Sequence, residues 1–262
     1  MSSGIQKRVL NLLVTLVCMT IAWEIACKAF HIPTFLIPAP SDVALRFYQK
    51  RDLYLMHTWV TLFETVSGFF LAVVIGIILA AFIVIVPRIR DVIMPLLVIA
   101  QLVPKVAIAP LLLIWFGYGL LPKVLIAFLV AFFPILINGC SGLASVQPEL
   151  SDLGKSLKAN AWQIFWKFQI PSALPEIFSG MKVAVTLAIV GAIIGEFVGG
   201  NSGLGYLIMV ANQELDTPLA FAAIILLSVL GLFLYGLIEW SEHLCIPWNS
   251  VVKSSLKDGE VQ

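Results

Sequence analysis

Charge is scarce in this 262-residue sequence: Asp, Glu, Lys and Arg make up 12% of it, against 60% hydrophobic residues. A soluble domain keeps roughly a quarter of its residues charged, so the chain is not read as one. The net charge is +1, and no basic field points to a nucleic-acid partner. Cysteine is equally sparse. Cys18, Cys27, Cys140 and Cys245 show neither CxxC nor metal-like spacing, so they read as small hydrophobes and no metal or cofactor is expected. The three histidines, His31, His57 and His243, form no HExxH motif, and no GxSxG or paired intramembrane aspartate is present. A membrane-embedded enzyme would need such a cluster at depth.

A nucleotide site is lacking as well. The run Leu153-Gly154-Lys155-Ser156 ends like a phosphate loop, but GxxxxGK[ST] needs a glycine where Glu149 stands. The run also follows an apolar segment too long for a strand. No ATP site is expected in this chain.

What the sequence holds in abundance is long apolar runs. A bilayer-crossing helix takes ~20 residues, and such runs lie near 9–27, 60–86, 92–117, 121–140, 176–198 and 218–240. Transmembrane β-strands would be short and alternating instead. The fold class is therefore an all-α integral membrane protein with about six transmembrane helices. Residues 1–57 would hold the first helix and an outer amphipathic segment, 58–240 the transmembrane core, and 241–262 a cytoplasmic tail. The first run is too long for the hydrophobic part of a signal peptide and is expected to stay as a helix.

Lysine and arginine in the connecting segments set orientation. With both termini cytoplasmic, ten of them fall inside and five outside (Lys28, Arg46, Lys50, Arg51 and Lys123), the sixteenth being Lys105 within the third run. Glu24 and Glu64, near span ends, are expected at the interface. The third run contains Pro95, Pro104 and Pro110. Proline removes a backbone donor and kinks a helix, so this span is expected to be bent or broken. The outer stretch from His31 to His57 reads either as a surface helix or as a plain loop.

The polar break at 141–175 has helical periodicity. Leu150, Leu153, Leu157, Ala161, Ile164, Phe165 and Phe168 recur at three- and four-residue steps, with Pro148 before them and Pro171 as a stop. Such a face either lies along the inner membrane surface or docks in the groove of a soluble partner.

The segment DLGKSLKANAWQIFWKFQIP resembles the cytoplasmic EAA-x3-G-x9-I-x-L-P loop of binding-protein-dependent ABC importer permeases. LIPAPSDV, LVPKVAIAPLLLIWFG and SALPEIFSGMKVAVTLAIVGAIIGEFVGGNSGLGYLI are similar to the nitrate, sulfonate, taurine and pyrimidine-precursor branch of that family. The likeness runs from about residue 30 onward. It implies a permease subunit in a bacterial inner membrane that carries a small polar solute. Its partners would be a second, identical permease, cytoplasmic ATPase subunits and an extracytoplasmic binding protein. Asp152, Leu153 and Gly154 fall in the EAA slot, Lys158 in the glycine slot, and Ala159, Trp162 and Pro171 fit the remainder. Trp162, Phe165 and Trp166 become candidates for ATPase contact, because buried aromatics anchor interfaces; tryptophan is also at home among lipid headgroups. Lys158 in place of glycine implies either a different turn or a more continuous helix. An ion-driven secondary transporter is the competing class, but it would show broken helices in both halves.

Two further features remain. Gly191, Gly195 and Gly199 repeat every fourth residue, spacing that lets helices approach closely, either within one subunit or along a subunit seam or pore. Lys105 and Glu196 lie at membrane depth, where ionisable groups are costly. Both are candidates for the translocation path, or for neutralising one another.

Overall fold

The computed structural model describes residues 2–145, 156 and 158–247. Among these every regular element is a helix: α1 (Ser2–Ala29), α2 (Pro40–Gln49), α3 (Arg51–Ile85), α4 (Pro87–Gln101) and α5 (Lys105–Phe116) come first. α6 (Leu120–Ala144), α7 (Ala161–Ile164), a π-helical turn (Phe165–Gln169), α8 (Ile170–Gly199), α9 (Leu204–Gln213) and α10 (Thr217–Cys245) follow. α3, α6, α10 and the run Trp162–Gly199 are each long and apolar enough to cross a membrane.

The proline-rich third run is broken. α4 ends at Gln101, α5 starts at Lys105, and the two are bent by 87°. Pro104 is the residue before α5. Having no N–H, it cannot continue the α4 ladder, whereas its fixed φ suits the entry to a new helix. Pro95 and Pro110 lie inside α4 and α5 without ending them.

The chain forms two compact units. Residues 1–60 with 202–228 make one. Here the outer stretch takes the helical option, as α2. Pro40 opens it, and Asp42 Oδ2 accepts the Ala39 N–H at 3.3 Å. Glu24 of α1 accepts from both the Ser41 amide at 3.0 Å and its hydroxyl at 2.8 Å, joining α1 to the first turn of α2. Arg46 of α2 pairs with Asp216 just before α10, and this bond to Asp216 raises the guanidinium pKa further. Tyr54 donates to the Leu219 carbonyl at 3.3 Å.

Residues 61–201 with 229–262 make the other unit. Its core sits where α3, α6 and α8 meet. Ala80, Ile83, Leu136, Cys140, Ala173 and Ile177 form one buried cluster, and Ala72, Ala131, Ile135, Ala184 and Ala188 another. Alanine dominates because the helices lie close. A Cβ on Gly68 of α3 would stand 2.5 Å from the Ala127 Cβ, and one on Gly191 of α8 would stand 2.6 Å from the Ala127 Cα. α6 is thus gripped from two sides at one residue. Lys182, well inside α8, pairs with Glu242 near the end of α10 at 2.5 Å. All four cysteines are free thiols.

Candidate functional site

The polar break resolves, from residue 158 onward, into a short capped helix that runs into a membrane helix. Asp152, Leu153 and Gly154 lie outside the described residues. Lys158 sits in a turn at φ +58°, the left-handed region in which glycine is at ease and a Cβ is strained. The slot where the resembling family carries glycine therefore keeps the backbone shape that glycine favours. Ala159, half-buried, and Asn160 connect this turn to α7.

Asn160 then caps α7. Its Oδ1 accepts the Gln163 N–H at 2.8 Å, while Gln163 Oε1 accepts the Asn160 N–H at 3.0 Å. These reciprocal bonds satisfy two donors that a helix start otherwise leaves orphaned. α7 lasts one turn and passes without a gap into the π turn, where the Ile170 N–H reaches back five residues to the Phe165 carbonyl. Pro171 follows, near the start of α8. It does not stop the helix; the wider π turn lies where the proline would otherwise leave the ladder short of a donor.

The aromatic residues divide. Phe165 packs against the buried cluster formed by Leu136, Cys140, Ala173 and their neighbours. Trp162 and Trp166 remain 66% and 51% exposed, with ring centroids 5.6 Å apart. Phe165 also stacks on Trp162 at 6.2 Å. Two large indoles are thus held on an inward anchor and face away from the core.

Lys105 is the first residue of α5, at the 87° break. Its ammonium group donates to the Gln101 carbonyl, the last residue of α4, and lies 4.8 Å from the centre of the Phe133 ring. It is half-buried. Glu196 is fully buried and accepts from Thr61 Oγ1 at 2.6 Å. The structure does not bring Lys105 and Glu196 together.

The partner that sequence reasoning missed is Lys123. It was counted among the outer charges, yet it is only 3% exposed and donates to Glu64 Oε1 at 2.8 Å. Glu64, expected at the membrane interface, is buried in protein. His57 was also passed over. Its Nδ1 accepts the Gly203 N–H at 2.9 Å, which fixes a glycine at φ +112° before α9. A neutral imidazole with its proton on Nε2 meets that geometry.

The glycine repeat packs within the chain. A Cβ on Gly191 would meet the Ala127 backbone at 2.6 Å, one on Gly195 the Lys123 Cα at 3.0 Å, and one on Gly199 the Leu113 side chain at 2.5 Å. Gly195 therefore lets α8 approach α6 closely beside Lys123 and next to Glu196. Among the described residues, no group of three or more His, Cys, Asp or Glu side chains is placed to hold a metal.

Comparison with known proteins gives consistent matches. The riboflavin transport system permease protein of Chloroflexus aurantiacus is 39% identical over 92% of this chain and 91% of its own. The formylaminopyrimidine transport permease protein of Halalkalibacterium halodurans is 34% identical over 88% and 92%. An inward-facing structure of the MetNI methionine ABC transporter superposes with a TM-score of 0.67 at 17% identity, over 75% of this chain and 98% of that one, which shows a shared fold. Residues 72–244 match the family described as the binding-protein-dependent transport system inner membrane component. The chain belongs to that family and is a membrane-spanning permease of an ABC importer.

Proposed function

We propose that this permease moves a small heterocyclic vitamin or vitamin precursor inward, driven by ATPase subunits that dock on Trp162 and Trp166. The relatives named for riboflavin and formylaminopyrimidine, at 39% and 34% identity, support the solute class. Sulfonate and taurine permeases, at 28% and 26%, keep a small sulfonate as the second choice. The chain itself carries no phosphate-loop sequence, so hydrolysis belongs to the partner.

The observation that carries the proposal is the capped α7 with its outward indoles, continuous with α8. A partner gripping Trp162 and Trp166 acts directly on a membrane helix. Coupling requires that the ATPases bind one state of the permease better than the other, since equal binding shifts no equilibrium. Six spans fit this scheme: α1, α3, the bent pair α4–α5, α6, α8 and α10. Both termini and α7 then face the cytoplasm, where basic residues are in excess. Two copies of the chain line the path, with Lys105 at the helix break bordering it. A binding protein delivers the solute from the far side.

The test substitutes Trp162 and Trp166 by glutamate. Phe165 is left intact because it packs on the core. The double variant is expected to reach the membrane folded yet lose its ATPase on purification in mild detergent. Full ATPase retention would overturn the docking assignment. Stimulation of the intact complex by loaded binding protein, tested with riboflavin, a formylaminopyrimidine and taurine in turn, identifies the solute class.

A further inference from the structure

Four polar side chains meet among three apolar helices. Thr61 and Glu64 come from α3, Lys123 from α6 and Glu196 from α8, and none is more than 3% exposed. Lys123 Nζ donates to Glu64 Oε1 at 2.8 Å, and Thr61 Oγ1 donates to Glu196 Oε1 at 2.6 Å. Thr61 and Glu64 lie three residues apart on one face of α3, so Glu196, bonded to the first, and Lys123, bonded to the second, share one buried cluster. Glu64 Oε2 is buried with no donor among the described residues.

The balance of charge agrees. Glu64, Lys123, Glu196 and Glu242 are the buried charged side chains among the described residues, and Glu242 pairs with Lys182. The cluster therefore has two acids and one base. Other helices packed on α6 place their charges elsewhere. α5 brings Lys105, held by Gln101 and Phe133. α4 brings Arg90 and Asp91; Arg90 acts on Cys140, which at 1.5 Å per residue is about 25 Å along α6 from Lys123. On α3 itself, His57 lies one turn before Thr61, and its Nδ1 accepts the Gly203 N–H, so the ring is neutral. A net negative charge left in a bilayer interior is costly, and close carboxylate pairs avoid it by sharing a proton.

We propose that Glu64 and Glu196 form a proton-binding site, with one proton shared by the two acids at neutral pH and Lys123 neutralising the charge that remains. The step is acid–base only: one proton enters from water, and the cluster passes from −1 to zero. Gly195 and Gly191 let α8 approach α6 closely enough to form the site, and Glu64 ties α3 to it. Deprotonation would place an uncompensated charge among these three helices, so the site links the packing of α3, α6 and α8 to pH.

The experiment is infrared spectroscopy of the permease–ATPase complex in lipid nanodiscs, reading the carbonyl stretch of protonated carboxyl groups. Wild type is expected to show a band that disappears in both Glu64→Gln and Glu196→Gln, because in each the single remaining acid is ionised beside Lys123. In Lys123→Met the band is expected to grow about twofold, since both acids then hold protons. A band equally strong in wild type and in both glutamine variants would overturn the proposal. If a variant fails to assemble, wild type grown with carboxyl-13C glutamate still decides: absence of any label-sensitive protonated band is fatal to it. The result does not depend on solute or ATPase docking, so it stands or falls apart from the proposed function.

Discussion

Replacing Gly191 by alanine isolates the cost of helix approach. The added Cβ would lie 2.6 Å from the Ala127 Cα, 3.0 Å from the Ile126 carbonyl oxygen and 3.1 Å from the Ala127 amide nitrogen. All three are backbone atoms, so no side chain can rotate away and α8 must shift from α6. Such overpacking costs typically 1–3 kcal/mol. Alanine also gains about 1 kcal/mol over glycine in a helix interior, and this offset would hide part of the clash. Gly236 in α10 supplies the correction, because a Cβ there meets nothing within 4 Å. The difference between Gly191→Ala and Gly236→Ala thus removes the propensity gain and leaves the clash alone. Thermal unfolding of the two purified variants should differ by roughly 2–4 °C per kcal/mol, with Gly191→Ala lower and Gly236→Ala at or above wild type. Equal melting temperatures would refute the claim that Gly191 packs on the α6 backbone.

Lys158 holds a left-handed turn at φ +58°. Lys158→Gly should relieve about 1 kcal/mol of strain there, and Lys158→Val should worsen it; proteolysis rates across the segment are expected to rank Val above Lys above Gly. Identical rates for Gly and Val would show that the turn is unstrained. Asp216 both caps α10, through the Leu219 N–H at 3.2 Å, and pairs with Arg46. Asp216→Ala is expected to cost about 1–2 kcal/mol, mostly from the cap, and Asp216→Asn less, because the asparagine oxygen keeps the cap and can still accept from Arg46 in this mostly buried pair. Melting curves that place Asn at or below Ala would contradict this.

Much of the architecture was legible because membrane helices announce themselves by length and composition. The break before Lys105 was legible for a local reason, since Pro104 has no N–H to give. Two features were only half legible. The outer stretch was left open between helix and loop, and what decides for α2 is the Asp42 cap and the Glu24 contact to Ser41, the latter reaching across to another helix. The glycine repeat told that something approaches α8 but not what. The polar cluster was not legible. Glu64 and Lys123 are 59 positions apart, and Thr61 and Glu196 135 apart, so no periodicity links them. Counting Lys123 as a loop charge followed from its place near the start of a span, whereas its burial follows from the close approach at Gly195. Around α7, Trp162 and Phe165 looked alike in sequence; packing separated them, one outward and one into the core.

The unbroken run from Trp162 to Gly199 has a mechanical consequence. Its 38 residues make a beam of about 57 Å at 1.5 Å per residue. Near the middle, Gly180 brings it against α6, where a Cβ would stand 2.7 Å from the Asn138 Cβ. If the beam rocks there, its arms are nearly equal, at roughly 27 and 29 Å by the same rise. A tilt of about 10° then carries Trp162 by roughly 5 Å one way and Gly199 as far the other. A see-saw with a central pivot gains no force and loses no stroke. Whatever distance one end is moved would then be the distance by which the far end swings.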